Sequence, residues 1–336
     1  MIFLLQKTLI FTIPLLIVAL AGMYAERSGI INIALDGIMI FGAFTGALAA
    51  VLLRQNTFFV DHNQILFVIC MATAAVCGAL FSLLLSFSAI KLKADQTIAG
   101  TALNMLAPAI ALFLIKVIFQ KDMLEMANAQ NSQGEIVDFG YVILNGDIKN
   151  PVAQVFFDKA YISTFIAIGL YVLLSILIYK TKTGLRLRSC GEHPQASASV
   201  GIDVNRMRYL GTTVSGALAG LGGYIYIATV ANGTATDAVA GMGFLAIAIM
   251  IFGNWKPLGI ALGALLFGFL KCLGVIYDQV SVMVNGEPVF FLKELNLPMY
   301  FYNIIPYVVV LVVLAFTSKR SRAPKAEGIP YDKGMR

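Results

Sequence analysis

The chain has 336 residues, 59% of them hydrophobic and 12% charged, with a mean hydropathy of +0.84 and a formal net charge of +6. Ordinary globular domains run at about 45–50% apolar and about 25% charged residues, so too few polar groups are present to cover a soluble surface, and the composition indicates a polytopic membrane protein. The pI near 9.1 raises nucleic acid as a partner, a reading that the placement of the basic residues removes.

Crossing about 30 Å of hydrocarbon takes about 20 mainly apolar residues. In chain order, nine segments meet or approach that requirement: 5–24, 31–53, 65–90, 98–119, 160–179, 209–231, 240–253, 258–277 and 300–317. The first also fits the pattern of a cleaved signal peptide loosely, with Lys7 before a run from Leu9 to Leu20 and Met23-Tyr24-Ala25 before Glu26. The other eight segments commit the chain to the membrane, and it is read as an uncleaved helix. The seventh is short and ends at Asn254-Trp255-Lys256-Pro257; the second begins in a polar stretch, Glu26 to Asp36. Lipid offers no partner to unpaired backbone groups. The expected fold is therefore an all-α bundle of about nine transmembrane segments, interrupted half-helices included.

Placing the 180–208 loop inside assigns every other connection by alternation. Sixteen Lys and Arg residues then lie inside and six outside, with Lys116 and Lys271 within spans. That bias follows the positive-inside rule. It puts the amino terminus outside and the carboxyl terminus in the cytoplasm, and it explains the basic pI without nucleic acid. The transmembrane domain is read as 1–317. A polar outside loop, 121–158, contains Asn145-Gly146-Asp147 and Asn150-Pro151, and a second, 278–299, carries Asn285-Gly286-Glu287-Pro288, both with turn chemistry. The basic tail 318–336, rich in Lys, Arg, Pro and Gly, is expected to be disordered and to act as a positive-inside anchor.

Two interrupted segments stand out. Glu26-Arg27-Ser28-Gly29 through Asn32-Ile33-Ala34-Leu35-Asp36-Gly37 leads into a helix with Gly42 and Gly46. Gly253-Asn254-Trp255-Lys256-Pro257 leads into a helix with Gly259 and Gly263. Glycines four apart let helix backbones approach closely, and Gly216 and Gly220 lie on such a stripe in the 209–231 segment. Helices broken at matching places in the two halves point to a translocation pathway. Asp36 is the carboxylate placed at membrane depth. It reads either as a polar pathway residue or as a helix cap or ion-pair partner of Arg27. Asn32, Asn104 and Asn254 read either as groups that hydrogen-bond a hydroxylated solute or as interhelical hydrogen bonds. Lys116 can snorkel to the outer interface, and Lys271 lies deeper.

In the inside loop, Gly191-Glu192-His193-Pro194-Gln195-Ala196 precedes Gly201-Ile202. Pro194 suits the first turn of a short helix with Glu192 near its N-terminus, and Gly201 suits its end. Such a helix can dock in another protein's cleft or be an ordinary interfacial loop.

Several chemistries have no residues to carry them. No P-loop motif, no chain of intramembrane acids or histidines, and no metallohydrolase or nucleophile-elbow motif occurs. Cys70, Cys77 and Cys272 lie in apolar runs and Cys190 in a basic loop, so pairing is not expected. His62 and His193 stand far apart, without a cluster that would hold a metal. Neither catalytic residues nor a cofactor of the chain's own are expected.

At these motifs the chain resembles the membrane permease subunits of ABC importers in the branched-chain amino acid and simple-sugar superfamily. The residues that carry the resemblance are Glu26–Gly29 with Asn32–Gly37 and Gly42-Ala43, then Gly191–Ala196 with Gly201-Ile202, then Asn254-Trp255-Lys256-Pro257-Leu258-Gly259 with Gly263–Gly268. It covers residues 5–317, and its Glu-Arg-Ser-Gly…Asn-Ile form is similar to the nucleoside-uptake branch. The resemblance implies a non-catalytic transport subunit of the cell membrane that pairs with a second, related permease chain. It also implies a cytoplasmic ATPase that binds the ATP and an extracytoplasmic solute-binding protein. Glu192 to Gly201 would then couple to the ATPase, and Asn32, Asp36, Asn104, Asn254 and Trp255 would lie along the gated passage. Alternative readings are a permease for a simple sugar or branched-chain amino acid, and an autonomous carrier or channel.

Overall fold

The structure, a computed structural model, describes residues 2–126, 129–130, 136–137, 141–142, 160–276, 282–284, 287–289, 298–317, 322–332 and 334. The chain is an all-α polytopic membrane protein, with four short two-stranded pairings described in its connections. Twelve helices are described: α1 Ile2–Arg27, α2 Leu35–Leu53, α3 Thr57–Asp61, α4 Asn63–Ile90, α5 Gln96–Phe119, α6 Ile162–Lys180, α7 Lys182–Glu192, α8 Pro194–Ser199, α9 Val204–Thr229, α10 Met242–Phe252, α11 Pro257–Ile276 and α12 Met299–Thr317. Each of the nine apolar segments carries one of them. Six (α1, α2, α4, α5, α6 and α11) are long and apolar enough to cross a membrane. The turn residues Asn145–Asp147, Asn150-Pro151 and Asn285-Gly286 lie outside the described residues.

Small residues decide the middle of the bundle. α9 packs most extensively against α4 and then against α1 and α2. Its buried face is Gly211, Thr212, Ser215, Gly216, Ala219, Gly220 and Gly223. A Cβ at Gly42 would overlap the Cα of Gly220, and one at Gly223 would overlap the carbonyl of Met39. Only backbone-to-backbone approach fits there. Between membrane helices, where lipid is as apolar as leucine, such packing replaces the hydrophobic drive. α1 is buried along nearly its whole length, whereas α5 and α6 bury one stripe and expose Ile98, Met105, Phe113, Val172 and Leu173.

α10 has 11 residues, about 16 Å at about 1.5 Å per residue, roughly half the hydrocarbon thickness. It begins against the first turn of α2, where a Cβ at Gly243 would overlap the backbone of Asp36. It ends at an elbow, Gly253–Lys256, from which α11 departs. The α1–α2 break, the α4–α5 turn, the α7–α8 hairpin, this elbow and residues 322–332 all gather at one end of the bundle, referred to below as the hairpin end.

Candidate functional site

At the hairpin end the two helix breaks interlock. α1 closes with Ser28 N–H and Gly29 N–H donating to the carbonyls of Ala25 and Glu26 at 3.0 and 2.9 Å, and Gly29 leaves at φ +96°. In the elbow, Asn254 and Trp255 both take left-handed backbone, at φ +53° and +51°. Each such non-glycine residue costs on the order of 1–2 kcal/mol. Trp255 is held from two sides. Its indole N–H donates to the Glu26 carboxylate, and Arg27 Nη2 donates to its carbonyl at 3.1 Å.

Deeper in the bundle, the first turn of α2 is a second junction. Asn104 on α5 accepts from Gly37 N–H at 2.7 Å and donates to the Ile33 carbonyl at 2.8 Å, so one amide satisfies both sides of the break. Asp36 Oδ1 accepts from Gly243 N–H at 2.9 Å, capping the free amides of α10 from another helix. Of the readings left open for Asp36, the geometry makes the cap and does not make the pair with Arg27, whose carboxylate partner is Glu192 at 3.7 Å. Asn32 donates to Ser215 Oγ at 2.8 Å, while its buried Oδ1 has no partner among the described residues. Lys271 reaches Tyr307 Oη at 3.1 Å and the Ala240 carbonyl at 3.4 Å, beside the start of α10.

The hairpin is built by local rules. Thr181 caps α7 by accepting from Gly184 N–H at 3.1 Å, Pro194 opens α8, and Gly201 turns the chain at φ +83°. The helix α7 itself was not anticipated, and it puts Glu192 at its own C-terminus, two residues before α8. Gly191 is buried against the Arg27 carbonyl. His193, Gln195, Ala196 and Gly201 are exposed. A groove of about 550 Å³ lies here, lined among others by Leu185, Arg186, Glu192, His193, Ala196 and Val200.

The expectation of a disordered tail is overturned for 322–332. This segment lies across the hairpin end, with Ala326 N–H donating to the Gly191 carbonyl at 2.8 Å and Gly328 N–H to the Gly29 carbonyl at 3.3 Å. Asn254 Oδ1 accepts from Arg322 N–H at 2.8 Å, and Lys93 pairs with Asp332 at 2.8 Å. Lys and Arg content suggested a solvated anchor. The determinants are instead backbone amides, which composition does not report. Burial pushes the Glu327 carboxyl up to about 7, with Glu26 alongside it. Arg208, fully buried in the first turns of α9, donates to the Ile329 carbonyl at 2.9 Å. Sequence reasoning missed Arg208, because nothing in an Arg next to a basic loop announces burial.

Gly46 lies against the ring of Tyr224, and Gly216 against Ser82. Gly259 packs on Gly253 and Gly263 on Phe252 and Ile249, so this pair folds α11 back onto α10. Among the described residues no group of His, Cys, Asp and Glu could hold a metal ion.

Residues 4–314 match the family described as the branched-chain amino acid transport system / permease component. The chain belongs to this family. The permease is 36% identical over 329 residues to the guanosine ABC transporter permease protein NupQ of Bacillus subtilis, covering 98% of this chain and 96% of the relative. It is 35% identical to the nucleoside ABC transporter permease protein NupC of Lactococcus lactis, covering 97% and 95%. Against a second Lactococcus lactis protein, the nucleoside ABC transporter permease protein NupB, identity is 26% over 94% of this permease and 83% of the relative. No solved structure matches the permease.

Proposed function

We propose that the chain is the membrane-spanning, non-catalytic subunit of an ABC importer that moves nucleosides inward by alternating access. The observation that carries this reading is similarity over nearly the full length to two permeases named for guanosine and nucleosides. A partner ATPase binds and hydrolyses ATP, and an extracytoplasmic binding protein delivers the solute. The hairpin end faces the cytoplasm, in keeping with sixteen basic residues against six. The exposed faces of α7 and α8, with Glu192, His193, Gln195 and Ala196 around the groove, form the ATPase-docking element. A second, related permease completes the passage. Lactococcus lactis has two such proteins, and this chain is nearer in identity to one of them, at 35% against 26%.

The passage runs past the two breaks. Asn104 bonds the backbone of the α1–α2 break, Trp255 ties that break to the elbow and Asn254 ties the elbow to residues 322–332, so their part is to keep the passage walls in place. Asn32, whose buried Oδ1 has no partner among the described residues, and Lys271 with Tyr307 are the polar groups suited to a hydroxylated solute.

Uptake of labelled guanosine into proteoliposomes holding this chain, its permease partner, the ATPase and the binding protein tests the reading. ATP-dependent uptake competed by adenosine, and not by ribose or leucine, is the expected result. Competition by leucine or ribose alone would replace the substrate. Flux through this chain without any ATPase would overturn the importer reading.

A further inference from the structure

Residues 322–332 bond to the hairpin, the α1–α2 break and the elbow at once, the last two of which also interlock directly. On the hairpin, Gly191 receives the Ala326 amide; on the α1–α2 break, Gly29 receives the Gly328 amide; on the elbow, Asn254 receives the Arg322 amide. The same segment meets α9 through Arg208 and the α4–α5 turn through Lys93. Besides it, the hairpin meets the break where Gly191 packs on the backbone of Arg27 and Gly29, and through one side-chain link, the Arg27–Glu192 pair at 3.7 Å with Glu192 41% exposed. A partly exposed pair at that distance transmits little force.

Arg208 supplies the second line of argument. It is 1% exposed, and among the described residues no carboxylate pairs with it. Nη1 holds the Ile329 carbonyl, and Nε and Nη2 have no partner among the described residues. A Cβ at Gly29 would stand 2.9 Å from Nη2, so the guanidinium lies directly between the α1–α2 break and the carboxyl-terminal segment. A buried guanidinium is costly, and packing of that kind does no more for the bundle than an apolar side chain would. Its distinct contribution here is to fix the path of residues 326–331.

We propose that residues 322–332 form a transmission strap, positioned by Arg208, that carries displacement of the α7–α8 hairpin to the α1–α2 break and the α10–α11 elbow. The proposal rests on reading the hairpin as the ATPase-docking element. Hairpin movement pulls on Ala326 through Gly191, and the strap passes that movement to Gly29 and Asn254. The strap is thus part of the coupling path and not a disordered anchor.

The test uses the reconstituted importer and reads solute taken up per ATP hydrolysed. A chain ending at Ser321 and the single variant Ala326→Pro, which removes one donor to the hairpin, are compared with the unaltered chain. Expected are ATP hydrolysis within about twofold of normal and at least a tenfold fall in the ratio for the shortened chain. Ala326→Pro should lower the ratio at least threefold. An unchanged ratio in Ala326→Pro overturns the proposal even where the shortened chain does not assemble. Ala326 is 6% exposed, so a second readout is labelling of Ala326→Cys by a membrane-impermeant maleimide in inside-out vesicles, above the background of the native cysteines. Arg208→Met should raise labelling at least fivefold and Arg208→Lys should keep it low; continued protection in Arg208→Met removes Arg208 from the positioning role. ATP-independent flux in the unaltered complex would overturn the docking reading itself. That result is visible without any variant, so the two failures are distinct.

Discussion

Glu26, in the last turn of α1, accepts a hydrogen bond from the indole N–H of Trp255, 229 positions later. The bond ties the break after α1 to the elbow between α10 and α11, and it offsets part of the strain of two successive left-handed residues there. Both partners are buried, so losing either leaves a polar group unsatisfied.

Glu26→Ala should therefore lower stability by about 1–3 kcal/mol, measured as a reduced Tm in detergent. Trp255 is the sole tryptophan, so the same variant should shift the intrinsic emission maximum. An unchanged spectrum and Tm would show that the bond contributes nothing.

Asp36 offers a direct contrast between capping and solute binding. Asp36→Asn keeps an oxygen for the Gly243 amide and should retain most of the uptake and the Tm. Asp36→Leu removes the acceptor and should cost about 1 kcal/mol of stability, as lost caps do, along with a large part of uptake. If Asn abolishes uptake while leaving Tm unchanged, the carboxylate charge acts on solute or protons and the cap account is insufficient.

Close helix approach predicts a sharp difference between glycines. Gly42→Ala or Gly220→Ala places a methyl group into facing backbone and should cost about 1–3 kcal/mol. Gly169→Ala on α6, where a Cβ meets nothing within 4 Å, should be neutral or slightly stabilising. Thermal unfolding of the three variants side by side checks this, and equal effects would contradict the packing.

The strap should respond to pH through Glu327. Burial raises its carboxyl from 4.5 to about 7 when docked, beside Glu26 and Arg27, and it titrates together with the Glu26 carboxyl it bonds. Docking therefore takes up a proton between those values, and linkage makes it weaken as pH rises from about 4.5 to about 7, then level off. Protection of Ala326→Cys from maleimide should fall over that window, and should fall less in Glu327→Gln, where only Glu26 of the neighbouring carboxyl pair remains. The comparison is made as protection relative to the undocked, shortened chain's reactivity at each pH, since thiol reactivity itself rises with pH. The same slope in Glu327→Gln would assign the effect elsewhere.

What the sequence determined by itself follows from one-dimensional physics. Hydropathy located nine apolar segments, each of which carries a helix, because insertion is decided locally by apolar length. Pro194 and Gly201 marked the ends of α8, since each acts on its own backbone. The glycine spacing at Gly42, Gly46, Gly216 and Gly220 marked where helices could touch. Only the tertiary structure decided which backbone each glycine meets, and that Gly259 and Gly263 serve the elbow. It alone gave Asp36 its partner in α10, Arg27 its partner in Glu192, and Glu26 its partner in Trp255. Those bonds join positions up to 229 residues apart, and a donor's type says nothing about which distant acceptor reaches it. The tail shows the limit most plainly. Its Lys and Arg residues are plain in the composition, yet residues 322–332 are held mainly by amide N–H groups and by the buried Arg208. Every residue but proline carries such an amide, so composition carries no trace of where it binds.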